Sequence, residues 1–375
     1  MSTTSREVEI RPTYSRPYRV VIGKDISKEF SKFLSSEVDN IDKVVIFVQE
    51  SVLDLEPTKH IISSIKESYE THVVPVVAGE AAKDISNVLN AIEYLHKISA
   101  SKSTVIVGIG GGALGDFVGF VASIYMRGLP LVLVPTTLLS MVDSAIGGKN
   151  AVNMFNVKNV VGTIYQPRLV FIDISYIDTL PMRELCSGLA EVIKYGVTID
   201  PEIITILEKE HNKVLQKDVE VLTELIVRSV RCKGWIVHLD EREERDVRQI
   251  LNYGHTVGHA VEACAGGKLT HGECVMIGMV IESDLGNRMG YTDTNVHETL
   301  LKLSGMYNLP SKVPSYVEKQ KVLEKIEYDK KRYGNVIKLP VVLRPGEFEI
   351  IKVELVRLLS YLNNLLDEYY EAVRG

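Results

Sequence analysis

A disulfide framework, an excess of basic charge and any long apolar run are all missing from this 375-residue sequence. Its four cysteines, Cys186, Cys232, Cys264 and Cys274, are too sparse to staple a small secreted fold, and they fit a reducing, cytoplasmic location. No stretch approaches the roughly 18 consecutive apolar residues of a membrane-spanning helix. The N-terminal segment MSTTSREVEIRPTYSRPY lacks the apolar core of a signal peptide. The net charge of −6 argues against a general binder of nucleic acid or membrane surfaces, while leaving room for a local basic pocket that takes a small anion. Internal repeats and low-complexity segments are absent as well. What is present is an ordinary globular balance, 45% apolar and 25% charged. The length exceeds what one core usually serves, so two domains are expected.

The two halves differ in period. KVVIFV (43–48), HVVPVV (72–77), TVIVGI (104–109), LVLVP (131–135) and LVFID (169–173) are nearly continuous in apolar residues, as parallel strands buried on both faces are. Helical patterns such as DISNVLNAIEYLHKI (84–98) lie between them. This alternation predicts a doubly wound, mostly parallel α/β domain over residues 1–178. From residue 179 to 375 the strand signal fades and helical periodicity dominates, through RELCSGLAEVIKYG, ILNYGHTVGHAVEACA and, at the end, VELVRLLSYLNNLLDEYYEAVRG. An all-α domain is expected there, with a small-molecule site in a cleft between the two.

GIGGGALGD (108–116) follows one of the expected strands and opens a helical pattern. Gly110, Gly112 and Gly115 satisfy G-x-G-x-x-G, whose glycines let backbone N–H groups approach a pyrophosphate. The acid expected roughly 20 residues further on is missing, because LVLVPTT occupies that region. The segment therefore reads either as a dinucleotide loop of unusual context or as a tight strand–helix turn.

In LNYGHTVGHAVEACAGGKLTHGE (251–273) three of the nine histidines fall within seventeen residues. His255 and His259 are four apart and share a helical face. Their spacing matches H-E-x-x-H, but Thr256 stands where a metalloprotease has its general base. His271 opens the next helical pattern, and Glu191, a carboxylate in an apolar helix with Lys194 on its face, could add a ligand. One Glu with two His suits an open, catalytic zinc site. Cys264 and Cys274 are alternative thiolate ligands, read here as small core residues. Polar groups also punctuate apolar surroundings at Asp143, Lys149, Lys158 and Asn159, with Arg127 before them. Lys233, Arg248, Asn252, Lys330 and Lys331 follow in the helical half. Scattered basic groups of this kind suit a substrate with several anionic groups. A solvated surface is the plainer reading for Lys331, less so for Lys149.

Taken together, GGGALGDFVGFVASIYMRG, PTTLLSMVDSAIGGKNAVN, LPMRELCSGLAEVIKYG, LNYGHTVGHAVE, HGE and DKK resemble the 3-dehydroquinate synthase family of the sugar phosphate cyclases, in order over residues 79 to 334. The resemblance implies a cytoplasmic enzyme of the shikimate pathway, which feeds aromatic amino acid biosynthesis. It would convert 3-deoxy-D-arabino-heptulosonate 7-phosphate to 3-dehydroquinate and phosphate, using NAD that is regenerated in each turnover. It implies Zn2+, with Co2+ as a possible substitute, on Glu191, His255 and His271. His259, Lys194, Lys149 and Asn252 would serve catalysis, His259 as a proton relay. Arg127, Asp143, Asn159, Lys233, Arg248 and Lys330 would join Lys149, Lys194 and Asn252 around the substrate. Cofactor contacts would come from Glu80, Lys83, Gly111, Gly112, Gly115 and Asp116, and from Thr136, Thr137, Lys158 and Thr179. The family's dimer implies a homodimer in which Arg127 reaches a neighbouring subunit's site.

Three features depart from the pattern. Gln49 stands where the family has an acid for the adenine ribose, DEREERDVRQ (240–249) is one residue longer than usual, and the C-terminal helix is distinctive. Alternatives are a valiolone- or inosose-forming cyclase, a metal-dependent polyol dehydrogenase of the same fold, and a binding protein with a dead site. Lys233, Arg248 and Asn252 favour an acid substrate over the neutral sugar phosphates of the first alternative.

Overall fold

The computed structural model describes residues 5–155, 157–331 and 334–371, with the side chains of residues 329–331 outside that description. The chain forms two compact units, residues 1–181 with 222–242, and residues 182–221 with 243–375.

In the first unit seven strands make one sheet: β1 (Arg6–Ile10), β2 (Tyr18–Gly23), β3 (Lys43–Gln49), β4 (Glu70–Val76), β5 (Val105–Gly110), β6 (Leu131–Pro135) and, beyond a separate hairpin, β9 (Leu169–Asp173). Their order is β1-β2-β9-β6-β5-β3-β4. Only β1 runs antiparallel to its neighbour. β5, β6 and β9 are buried along their whole length, so helices cover both faces of the sheet. The hairpin pairs β7 (Lys149–Met154) with β8 (Val157–Ile164) and was not expected from sequence. Helix α1 (Gly112–Ile124) follows β5.

Beyond Pro181 the longer helices include α2 (Met182–Thr198), α3 (Val219–Leu239), α4 (His255–Cys264) and α5 (His271–Arg288). The division at 178/179 differs from the packing. From Leu222 onward α3 belongs to the first unit, where Lys233 bonds Asp143, Arg6 bonds Glu224, and Gly234 lets Ile10 approach. The second unit is not all-helical. β10 (Val336–Arg344) and β11 (Glu347–Glu354) form an antiparallel hairpin in it. The last helix, α6, covers Leu355–Leu366, and residues 372–375 of the expected terminal helix lie outside the described residues. No described helix is long and apolar enough to cross a membrane.

Candidate active site

In the first unit the glycine loop joins the C-terminal end of β5 to α1, and Gly110, Gly111, Gly112 and Gly115 line a pocket with Pro135, Ser140 and Ser144. The glycines are there for different reasons. A Cβ on Gly112 would sit 2.7 Å from Ser144 Oγ, and one on Gly110 2.6 Å from the Leu114 side chain. Gly115 faces open space, so the protein itself does not require a glycine at that position. Gln49, at the end of the neighbouring β3, accepts a hydrogen bond from Gly111 N–H at 3.3 Å and donates to Ser51 Oγ at 2.7 Å. The amide that replaces an acid here braces the loop.

Beside the loop is a polar cluster around the buried Lys83. Lys83 pairs with Asp116 at 2.5 Å and bonds Asn159 Oδ1, with Glu80 at 3.9 Å. Burial pushes the Asp116 carboxyl up, against the pull of the Lys83 charge. Glu80 accepts from Asn153 at 2.8 Å. Thr136 donates its N–H to Gly110 O at 3.0 Å, and the Thr137 hydroxyl bonds Ser140. Lys233 donates to Asp143 Oδ1 at 2.8 Å and to its carbonyl at 2.7 Å, which unites two of the expected anion-binding positions. Lys149 and Lys158 are exposed, and for Lys149 this differs from the enclosed position its apolar surroundings suggested. Arg127 is exposed too, in a left-handed turn (φ 62°) just past the end of α1. Thr179 spends its hydroxyl on Tyr176 O.

In the second unit three helices converge. Glu191 is fully buried on α2, His255 is the first residue of α4, and His271 is the first of α5. A capping box fixes the start of α5: Thr270 accepts from Glu273 N–H, and Glu273 accepts from Thr270 N–H at 2.7 Å. Glycines bring the helices to backbone contact. A Cβ on Gly272 would sit 2.0 Å from Ser187 O, and one on Gly278 1.8 Å from Gly254 O.

Glu191 Oε1 lies 3.4 Å from Nε2 of both His255 and His271, and neither oxygen of Glu191 accepts a well-directed hydrogen bond. His255 Nδ1 faces Tyr253 O at 3.0 Å, and His271 Nδ1 faces a Glu262 oxygen at 3.1 Å. Both partners only accept, so each Nδ1 carries a proton and each Nε2 points inward, as a lone-pair donor once it gives up any proton of its own. Three potential ligand atoms face one another within 4.8 Å, an arrangement that a cation can satisfy in place of a proton. Burial alone would raise the pKa of Glu191, but the charge of Lys194 and the two imidazoles hold it well below the usual carboxylate range. Lys194 pairs with Glu191 Oε2 and donates to Leu251 O at 2.9 Å. Burial pulls His271 down, yet Glu191 and Glu262 outweigh it and lift the ring to about 10. The site attracts positive charge, whether a proton or a metal. Neither Cys264 nor Cys274 belongs to a potential ligand group among the described residues.

His259 stands outside this triad, its ring centroid 4.9 Å from that of His255. Desolvation and the charges of His255 and His271 lower its pKa. The side chain is exposed, so the crowding of imidazoles is the firmer of these causes. Arg248 and Asn252 do not lie on the helix of His255. They belong to a 3-10 turn, Val247–Asn252, and α4 begins only after the left-handed Gly254. Arg248 is only 1% exposed, so it is not a solvated surface arginine. Asn252 donates to Gln249 at 3.0 Å. The Lys330 side chain lies outside the described residues. Glu262 escaped the sequence reading although it follows His255 and His259 at seven and three residues, one helical face.

This pairing of a parallel α/β unit with a helical unit is the dehydroquinate synthase-like fold of the sugar phosphate cyclases. A 2-deoxy-scyllo-inosose synthase, solved with carbaglucose-6-phosphate, NAD+ and Co2+, has a TM-score of 0.85 at 24% identity, covering 96% of this chain and 100% of that one. A 2-epi-5-epi-valiolone synthase from Streptomyces hygroscopicus subsp. jinggangensis, with NAD+ and Zn2+ bound, scores 0.84 at 24% identity over 96% and 99%. The family models for the 3-dehydroquinate synthase N-terminal and C-terminal regions match residues 73–187 and 188–332. The 3-dehydroquinate synthase of Saccharolobus solfataricus is 39% identical over 340 residues, 90% of this chain and 93% of its own. That of Sulfolobus acidocaldarius is 41% identical over 300 residues, 79% and 85% of the two chains. The chain is an enzyme of the 3-dehydroquinate synthase family.

Proposed function

We propose that the chain converts 3-deoxy-D-arabino-heptulosonate 7-phosphate to 3-dehydroquinate and phosphate, as a lyase that depends on NAD and zinc, with cobalt as a substitute metal. The observation that carries this reading is the inward convergence of lone pairs from Glu191, His255 and His271, in a chain whose curated relatives are named for that activity. When bound, the cation would supply Lewis-acid polarisation and the dinucleotide a reversible hydride store, for a reaction that eliminates phosphate, closes a carbocycle and is redox-neutral overall.

The chain's own groups bind and orient. The glycine loop and Thr136, Thr137 and Thr179, with Lys83, Asp116, Glu80 and Lys158, hold the dinucleotide. Arg248, buried and permanently charged, anchors the substrate carboxylate by paired hydrogen bonds, with Asn252 beside it. Lys149, Lys194, Lys233 and Lys330, with Asp143 and Asn159, hold the hydroxyls and phosphate. His259, beside the triad, accepts and returns a proton. With these groups fixed, orientation supplies much of the rate.

The active form is a homodimer in the cytoplasm, with Arg127 of one subunit serving the other's site. Support comes from β8, which exposes Val157, Val160 and Ile164 and pairs only with β7 among the described strands, and from Phe155 at 81% exposure. The test is to incubate the protein with the heptulosonate phosphate, NAD and zinc, and to follow phosphate release and the carbocyclic product. Phosphate release without a carbocycle, or neither product, would refute the assignment.

A further inference from the structure

Glu282 lies on α5 and is only 3% exposed. A buried carboxylate is costly unless its oxygens are bonded, and both are. Oε2 accepts from Gly254 N–H at 2.8 Å, and Oε1 from Val257 N–H at 3.0 Å. These donors are the cap residue and the third residue of α4, so a side chain from another helix occupies the place of the N-cap group. Gly254 has no side chain to cap with, and the position tolerates none. Its φ is +79°, and a Cβ would meet the Met279 side chain at 2.4 Å and Val275 O at 2.9 Å. Residue 255, between the two bonded amides, is the histidine whose Nε2 faces Glu191 and whose Nδ1 faces Tyr253 O.

We infer that Glu282 is a positioning residue for the metal ligand His255. Its carboxylate clamps the backbone on both sides of that histidine and ties it to the helix that carries His271. The clamp fixes two ligands of the triad relative to each other through one side chain. An ordinary cap from residue 254 would tie α4 only to itself. The inference rests on the metal reading above.

The test compares zinc affinity, by competition with a fluorescent chelator, and the visible spectrum of the cobalt-loaded protein. Glu282→Gln keeps the volume but turns an amide N–H toward a backbone N–H, so one of the two bonds is lost. Its zinc Kd is expected to weaken by about tenfold to a hundredfold, the effect usual for a partner that orients a ligand, and its cobalt spectrum to shift. Leu362→Ala, in the fully buried face of α6 in the same unit, lowers the melting temperature and leaves both readouts unchanged. Glu282→Asp, one methylene shorter, reaches only one donor and shifts affinity in the same direction by less, which keeps the test open should the glutamine variant not fold. A zinc Kd within about twofold of wild type and an unchanged cobalt spectrum would overturn the inference whatever the melting temperature does. Wild-type zinc uptake is read first. No uptake refutes the metal reading and this inference together, whereas normal uptake with an indifferent variant refutes only the role of Glu282.

Discussion

Arg248→Ala separates an acid substrate from a neutral one. Were this arginine on the surface, its loss would cost roughly 0.2–1 kcal/mol and turnover would barely change. It is 1% exposed, in the turn that leads into α4, so that estimate does not apply. A charge-assisted hydrogen bond to a carboxylate is worth about 1.5–3 kcal/mol. At about 1.4 kcal/mol per decade, kcat/KM falls by about tenfold to more than a hundredfold. Zinc content and NAD affinity should stay as in wild type. The protein should also lose some stability, because a large buried side chain is removed, so the assay is run well below the variant's melting temperature. The decisive measurement is kcat/KM for the natural substrate and for an analogue lacking the carboxylate, in both proteins. The substitution should harm the first and leave the second nearly unchanged. Equal harm to both substrates, or to neither, would refute the carboxylate anchor and return the neutral-sugar cyclases to contention.

Chelation should abolish activity and zinc restore it, and His271→Ala should lose metal while keeping its circular dichroism spectrum; full turnover in a rigorously metal-free sample would contradict the triad. NAD should be required yet unconsumed, so NADH accumulating in step with phosphate release would favour a dehydrogenase. Trp235, 46% exposed on α3 two residues from Lys233, should change its fluorescence at saturating substrate, and a constant signal would count against a site at this helix. Gly278→Ala forces a Cβ to 1.8 Å from Gly254 O, so it should destabilise by at least about 1–3 kcal/mol in denaturant unfolding. Gly305→Ala meets no atom within 4 Å and should stabilise by about 0.4–1 kcal/mol. Equal effects of the two alanines would show that backbone contact between α4 and α5 is not what Gly278 serves.

The central strands were legible because β3, β5, β6 and β9 are buried on both faces and read as continuous apolar runs. The hairpins were not. β8 is exposed along most of its length, so it lacks the signature of a core strand, and β10 lies in a half where helical periodicity dominates. The histidines of the site declared themselves by spacing. Glu191 stood out as a charge in an apolar helix. Glu282 is also a charge in an apolar helix, but its role exists only once α5 lies against the start of α4. Sequence periodicity alone would carry one helix from Arg248 to His255, but the left-handed Gly254 breaks it and leaves Arg248 in a 3-10 turn.

The discontinuous make-up of the first unit bears on how the chain is synthesised. Residues 222–242 complete that unit, yet residues 182–221, which carry Glu191 and belong elsewhere, leave the ribosome before them. The N-terminal sheet therefore waits for a segment translated some forty residues after Pro181, and Asp143 waits for Lys233. Such long-range closure slows folding and leaves sheet surface uncovered in the interval. A fragment ending at residue 181 would carry the glycine loop and the whole sheet, and would still lack the helix that completes its own fold.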